Sequence, residues 1–416
     1  MPEQVSAPPA AAQLTNAMRP VAARERIEVI DILRGCAILG ILLVNMPLYG
    51  WPNWGPLRAM RADLPGGLAD EIASWFIWLF AEDKFYPLLS FLFGLGFSLQ
   101  LLRAEGSGTH FLSVFRRRLF ILLLIGLVHA FLIWSGDILA RYAFVGFLLI
   151  PFRAWKPKTI IAAALVCILL PLALLPVQRE LHDRSFVHVV SKDQSKQALW
   201  DQSMHAYTRG SFAEMSAERV RGVAWTVSWC IGWLQILGLF LLGLYAGRRR
   251  FFQNLSIHLP FIRKAIWWAL ALGVAGTLVR AGIFKLPQTR APLVNELLQG
   301  AVDTAGFLAV SFFYAAAITL LAQRGTWKTR LLPLAAVGRM ALSNYLFQSF
   351  VCTTLFYGYG FRLFAKVGPA AGLGLTFAIY AIQIPLSVWW LRRFRFGPME
   401  WAWRSLTYGK LQPMRP

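Results

Sequence analysis

Long apolar segments recur along the chain and are separated by short polar stretches. Most of them approach or exceed the roughly 20 mostly apolar residues that a membrane-spanning helix needs. The segments are residues 29–49, 72–101, 117–135, 138–152, 159–177, 223–247, 265–284, 297–322, 332–357 and 371–391. The pattern predicts an all-α fold, a polytopic transmembrane helical bundle with about ten spans.

Two of these segments are irregular. The second carries Glu82, Asp83, Lys84 and Pro87 near its middle, so a break or kink is predicted there. The fourth is short, and the three residues 135–137 leave room only for a tight turn after the third. We therefore expect the third and fourth helices to form an antiparallel hairpin.

The distribution of basic residues predicts the orientation and the domain organisation. With the N-terminus inside, most of the 42 Lys and Arg residues fall in inner segments, so both termini are expected to be cytoplasmic. Residues 1–26 predict a disordered cytoplasmic tail, and residues 27–395 the transmembrane domain. Within that domain, 178–221 is predicted to be an extracytoplasmic loop with short amphipathic helices.

The remaining residues, 396–416, predict a cytoplasmic interfacial tail. Arg and Trp alternate along it, as in segments that anchor a protein at lipid headgroups. Recognition of an anionic cytosolic ligand is the alternative. Glu400 and Arg404 are four residues apart, so they are expected to pair on a short helix.

Composition narrows the class of protein further. Only 15% of the residues are charged, against about 25% in soluble domains, which excludes a soluble enzyme. The net charge of +22 comes from short basic clusters between apolar segments, so the expected partner is the lipid bilayer and not nucleic acid. The four Cys are scattered singly and no His pair has ligand spacing, so no metal is expected.

Polar residues inside the apolar segments are the candidate functional residues, because each costs at least about 2.5 kcal/mol to insert. Asp31 and Arg34 are three residues apart and face the same side of the first helix. They predict an ion pair that anchors the helix, or a ligand site built on Arg34. Asn45 follows Arg34 by eleven residues.

His129 is the histidine that lies deepest in an apolar segment, and Asp137 follows it by eight residues. An imidazole beside a carboxylate is the usual general-base pair. A continuous helix would hold them about 12 Å apart, so only a turn at Gly136 brings them together. The alternatives are a structural hydrogen bond between helices, a proton relay and, least favoured, a metal ligand.

Two further polar clusters are candidates for lining a cavity. Asp83 and Lys84 lie beside the predicted break, where irregular backbone lines a cavity or forms an interfacial loop. A polar stripe follows the ninth and tenth segments, where it either holds helices together or lines a substrate path. The stripe contains Arg339, Asn344, Gln348 and Gln383.

Three segments carry a resemblance to a known family. They are residues 31–45, DILRGCAILGILLVN; residues 135–142, SGDILARY; and residues 338–349, GRMALSNYLFQS, with residues 396–404, FGPMEWAWR. Together they resemble the YeiB-like family of bacterial polytopic membrane proteins, a domain of unknown function, over nearly the whole chain. The resemblance implies the bacterial cytoplasmic (inner) membrane, and an oligomer is compatible with it.

The first of these segments also resembles transmembrane acyltransferases, which include the acyltransferase-three proteins and heparan-alpha-glucosaminide N-acetyltransferase. The resemblance implies a cytosolic acyl-CoA donor and an envelope glycan, lipid or small-molecule acceptor at the outer side. In acyltransferase-three proteins the catalytic His stands where this chain has Asn45. His129, assisted by Asp137, is then the expected base. The basic residues expected to hold the donor phosphates are Arg34, Arg116, Arg117 and Arg118.

Three possibilities therefore remain open from the sequence, the third being a non-catalytic membrane assembly or sensor protein. The first is acyl transfer across the membrane. The second is proton-coupled transport or lipid flipping through the same polar cavity, with Asp31, Asp137 and His129 as proton carriers.

Overall fold

The computed structural model describes residues 27–415 apart from 53, 55–56, 58–59, 61–65, 108–110, 188–194 and 284–290. The described part of the chain is built from helices and contains no strand. This confirms the predicted all-α bundle. The tail predicted over 1–26 lies outside the described residues.

The helices are numbered in chain order. Those of the first half are α1 (Glu28–Gly50), α2 (Leu68–Phe80), α3 (Phe85–Ser107), α4 (Phe111–Val128), α5 (Leu139–Leu149), α6 (Pro157–Ala173), α7 (Leu175–Val187), α8 (Lys196–Thr208) and α9 (Phe212–Ser228). Those of the second half are α10 (Trp233–Arg248), α11 (Leu255–Arg280), α12 (Pro292–Leu321), α13 (Gly325–Arg339), α14 (Ala341–Phe356), α15 (Pro369–Arg393) and α16 (Pro398–Tyr408).

The ten predicted segments are mainly helical, but the single helices expected over 159–177 and 223–247 are each divided in two, at Leu174 and at residues 229–232. Fewer helices than predicted could cross a membrane unaided. Within the described ranges, six segments are long and apolar enough, namely α1, α2 continued by α3, α10, α11, α12 and α15. A seventh appears if α6 and α7, which meet at 61°, form one bent span. The shorter helices α4, α5, α13 and α14 pack among the longer ones.

The predicted break in the second segment separates α2 from α3. Asp83 has a positive φ of 63°, which ends the helical path. The Lys84 ammonium is buried and donates to the carbonyls of Trp78 (2.7 Å) and Glu82 (2.8 Å). Arg280, at the end of α11, donates to Asp83 over 3.0 Å. The charges at this break therefore satisfy the interrupted backbone and tie α11 to it.

The prediction of one helix over 332–357 is wrong, because the chain turns between α13 and α14 at Met340. The Glu400 carboxylate of α16 accepts hydrogen bonds from the amides of Leu342 (2.7 Å) and Ser343 (3.1 Å). These amides belong to the first turn of α14, where a helix has unpaired N–H groups. Glu400 thus provides from a distant segment the cap that lets a new helix begin.

The expected pairing of Glu400 with Arg404 is replaced by this cap. Burial raises the pKa of Glu400, and the hydrogen bonds from Ser343 and Leu342 oppose that rise. The tail helix α16 is also docked through its indoles, since Trp403 Nε1 donates to the Arg118 carbonyl over 2.9 Å. The tail helix is therefore a packed part of the bundle.

Glycines set the closest helix crossings. A Cβ on Gly94 of α3 would overlap the Phe240 carbonyl of α10, and one on Gly243 would overlap the Phe91 carbonyl of α3. Two spanning helices therefore meet backbone to backbone, as small residues permit in membranes. A second such crossing joins α1 to α13, where Gly338 lies against the Asp31 carbonyl.

The two ends of the bundle differ in what covers them. We call the end where α1 begins and α16 docks the basic end. At the opposite end, α8 and α9 lie over the last turns of α1 and α14. The backbone carbonyl of Tyr207 in α8 accepts a hydrogen bond from the Gly358 amide over 2.8 Å. We call this the capped end. Its helices α7, α8 and α9 are the short helices expected in the loop 178–221.

The cap on α14 predicts a stability effect. Glu400→Ala removes the acceptor of two amides and should lower the free energy of unfolding by about 1.5–3 kcal/mol. Glu400→Gln keeps one carbonyl acceptor and should cost less. Unfolding of the purified protein in detergent measures both, with the exposed Glu180→Ala as control. Equal stability of Glu400→Ala and the control would contradict the capping role.

Candidate functional site

A cavity of about 260 Å³ opens among α1, α3, α4, α5, α13, α14 and α16. Its walls are mainly apolar between the two ends. They include Ile38, Ile41, Leu89, Leu92, Phe93, Phe97, Leu119 and Leu122. The cavity therefore joins a polar mouth at the basic end to the interior of the bundle through an apolar passage.

Four arginines line this cavity, and each comes from a different helix. They are Arg34 of α1, Arg118 of α4, Arg339 of α13 and Arg404 of α16. The carboxylate among the lining residues is Glu400, which is engaged with the α14 amides. Asp31 pairs with Arg34 over 3.0 Å. The mouth therefore carries an excess of positive charge, which favours an anionic ligand.

Aromatic rings hold two of these guanidinium groups in place. Arg118 lies 3.9 Å from the centre of the Trp403 ring, and Arg404 lies 4.7 Å from the centre of the Phe396 ring. Stacking leaves the N–H edges of a guanidinium free to donate to another group. Burial lowers the pKa of Arg404, so an anion in the cavity would relieve part of its desolvation cost.

The deep end of the cavity is formed by Tyr345 with Ile138, Leu139 and Tyr142. The centre of the Tyr345 ring lies 5.2 Å from that of His129. His129 itself is not among the residues that line the cavity, whereas Tyr345 is. One aromatic ring therefore separates the cavity from a buried histidine.

His129 and Asp137 are brought together by the turn at Gly136, as the sequence required. His129 Nδ1 lies 2.8 Å from Asp137 Oδ1, and the two side chains are 1% and 2% exposed. The last turn of α4 widens into a π-helical turn over His129–Ile133, in which the Trp134 amide donates to the His129 carbonyl. A Cβ on Gly136 would overlap the Trp134 ring, so glycine lets this turn close.

The hydrogen bonds define the tautomer of the histidine. A carboxylate accepts hydrogen bonds only, so the His129 Nδ1 proton points at Asp137, and in the neutral imidazole Nε2 then carries a lone pair. The second oxygen of Asp137 accepts from the Ala140 amide over 2.6 Å, which fixes the carboxylate. Nε2 is buried and has no hydrogen-bond partner in the described part of the chain. The arrangement can take a proton from a group that approaches Nε2.

The predicted polar stripe has mutual partners. Gln348 donates to Gln383 over 2.8 Å, and Gln383 donates to the Asn344 carbonyl over 3.0 Å. Asn344 also donates to Ser387 over 3.1 Å. These buried groups join α14 to α15 and are absent from the cavity lining, whereas Arg339 of the same stripe lines the cavity.

Other predicted site residues lie away from the cavity. Asp83 and Lys84 are engaged at the break between α2 and α3. Arg116 and Arg117 are exposed on α4, and only the next residue, Arg118, faces the cavity. Asn45 lies on α1 one turn beyond Ile41 and is half-buried outside the lining.

Sequence reasoning did not assign several lining residues to a site, among them Tyr345, Gln100 and Arg404. Tyr345 and Gln100 gave no signal, because a single polar group in an apolar helix does not show which face it occupies. Arg404 was read with the interfacial tail. The sequence did offer one indication of its role, because binding of an anionic cytosolic ligand was the alternative function predicted for that tail.

Comparison with known proteins places the chain in a family. A family model described as "Protein of unknown function (DUF418)" matches residues 246–410, which include α13 to α16. The uncharacterized protein YxaH of Bacillus subtilis (strain 168) is 35% identical over 417 residues, covering 96% of this chain and 98% of its own. The uncharacterized protein YeiB of Escherichia coli (strain K12) is 31% identical over 393 residues, covering 92% and 96%. The chain therefore belongs to the YeiB-like family of membrane proteins, whose domain has no assigned function.

Proposed function

We propose that this protein transfers an acyl group from acyl-CoA, bound at the basic end, to an acceptor that approaches from the capped end. The observation that carries the proposal is the unpaired Nε2 of the buried His129–Asp137 pair, one ring away from a cavity lined by four arginines. With the basic end facing the cytosol of a bacterial inner membrane, the donor enters from the compartment that contains it.

The cavity suits the chemistry of the donor. Guanidinium groups bind phosphates through paired, charge-assisted hydrogen bonds. Arg34, Arg118, Arg339 and Arg404 can surround the phosphates of coenzyme A at the mouth. The apolar passage then accommodates the pantetheine arm and the acyl group, with the thioester directed towards Tyr345.

The reaction needs one base and no further reagent. His129 Nε2 takes the proton of an acceptor hydroxyl or amine as its oxygen or nitrogen attacks the thioester carbonyl. The new C–O or C–N bond forms, the C–S bond breaks, and the coenzyme A thiolate leaves and takes the proton from the imidazolium. Asp137 stabilises that imidazolium, and rotation of the Tyr345 ring opens the contact between donor and base.

Donor binding can be tested with two neighbouring residues of α4. Arg118 lines the cavity, whereas Arg116 is exposed. Acetyl-CoA or a longer acyl-CoA at 100 times its Kd should stabilise the purified protein by about 2.7 kcal/mol. Arg118→Ala should lose this stabilisation and Arg116→Ala should keep it, as read by thermal unfolding in detergent. Equal responses of the two variants would place the donor elsewhere.

The base can be tested separately from donor binding. His129→Gln should lower acyl transfer by about 10²–10⁴-fold while acyl-CoA still stabilises the protein. Asp137→Asn should also lower it, because an amide can donate to Nδ1 and reverse the tautomer. The assay follows a radiolabelled acyl group from acyl-CoA into an envelope lipid and glycan extract, with exposed His205→Gln as control.

Two outcomes would reject acyl transfer. The first is full transfer activity in His129→Gln, which would remove the proposed base. The second is proton-dependent flux of a lipid or solute through reconstituted protein without any acylated product. That result would assign the same cavity to a transporter or lipid flippase.

A further inference from the structure

Arg219 of α9 is an unusual residue at the capped end. It is fully buried, with 0% exposure, and none of its three guanidinium nitrogens has a hydrogen-bond partner within the described ranges. Two aromatic rings lie beside its charge, Phe212 at 5.4 Å and Tyr357 at 5.8 Å. The described part of the chain therefore leaves all of its donor capacity unused.

The adjacent carboxylate does not neutralise this charge. Glu218 accepts hydrogen bonds from Trp54 Nε1 (3.1 Å) and Ser203 Oγ (2.6 Å), and it forms an ion pair with Arg221. Its oxygens are thus engaged by other donors. Cation–π contacts return less free energy than the burial of an unpaired charge costs. A bound anion would compensate the remaining cost of burying the Arg219 charge.

The buried arginine is close in the fold to the histidine turn. α9 packs against the π-helical turn that carries His129. A Cβ on Gly222, one helical turn after Arg219, would lie 2.7 Å from the Ser135 Oγ. Tyr357, which faces Arg219, belongs to the same apolar cluster as Trp134.

Trp134 lies close to His129, the proposed base. The centre of its ring lies 6.3 Å from that of His129, and its Nε1 is buried without a partner in the parts of the chain described here. Arg219, Trp134 Nε1 and His129 Nε2 are therefore three buried groups that lack partners in the described chain and belong to elements that pack together. A single ligand with an anionic group and a hydroxyl or amine would satisfy all three.

We infer that the capped end contains the acceptor site, and that Arg219 binds a carboxylate or phosphate of an anionic acceptor. A guanidinium binds either group through two parallel hydrogen bonds. Held there, the acceptor directs its hydroxyl or amine past Trp134 towards His129 Nε2. The inference rests on the proposed function only in naming the ligand as the acyl acceptor; binding of the anion at Arg219 stands independently of acyl transfer.

The test compares Arg219→Met with Arg209→Met, which removes an exposed arginine of the same end. Each full-length protein is placed in nanodiscs of phosphatidylcholine, and thermal unfolding is followed while inorganic phosphate or succinate is added. Arg209→Met should show a saturable rise in Tm, as the native protein does. Arg219→Met should need about tenfold more of the anion, or fail to respond, because charge-assisted hydrogen bonds are lost.

Nanodiscs that contain phosphatidylglycerol form a second arm of the test. If the Arg219-dependent rise in Tm appears there without added phosphate or succinate, the anion is a lipid headgroup; if it appears only with the soluble probes, it is a free solute. Arg219→Lys, which keeps the charge but loses the paired geometry, should respond at intermediate concentrations. If Arg219→Met does not fold, Arg219→Lys replaces it in the comparison with Arg209→Met.

Without added anion, Arg219→Met should be at least as stable as Arg209→Met, because an apolar group replaces an unpaired charge. Equal responses of the two variants to every probe would overturn the inference, and so would the absence of any response in the native protein. Acyl-CoA titrations on the same samples separate the two proposals. An anion response that depends on Arg219 without an acyl-CoA response would retain the anion site and reject acyl transfer.

Discussion

A polar group in an apolar helix bundle must find its partner inside the bundle, and this constraint decides where the broken helices of this protein meet. The amides at the start of α14 are satisfied by Glu400, which arrives from the C-terminal tail. The carbonyls at the end of α2 are satisfied by the Lys84 ammonium. In both places a helix could be interrupted within the fold because a charged side chain compensated the exposed backbone.

The same constraint makes the buried polar groups without partners candidates for ligand binding. His129 Nε2, Trp134 Nε1 and Arg219 are buried, and they lack hydrogen-bond partners in the described chain although nearby polar residues are well paired. The arginines of the cavity mouth present a similar excess of donors. In the proposed function, these groups would bind the ligands that arrive from the basic end and from the capped end. A two-substrate reaction, with one ligand entering from each side, would use both sets of groups.

Much of the architecture follows from the sequence, because hydrophobic length and charge are local properties of the chain. The apolar segments predicted the helices, the charges beside Pro87 predicted the break after α2, and the residues around Gly136 predicted the hairpin of α4 and α5. The turn between α13 and α14 escaped prediction. Its cause is Glu400, which is close in space but distant in sequence.

The sequence by itself determined that this is a helical membrane protein with ionisable groups at a few positions inside its spans. Only the tertiary structure decided which of those groups act together. Arg118 faces the cavity while Arg116 faces outward. Asn344 has a partner on α15, whereas Arg219 has none among the described residues. The physical reason is that the face of a helix and the pairing of a buried charge depend on neighbouring helices, which the local sequence does not specify.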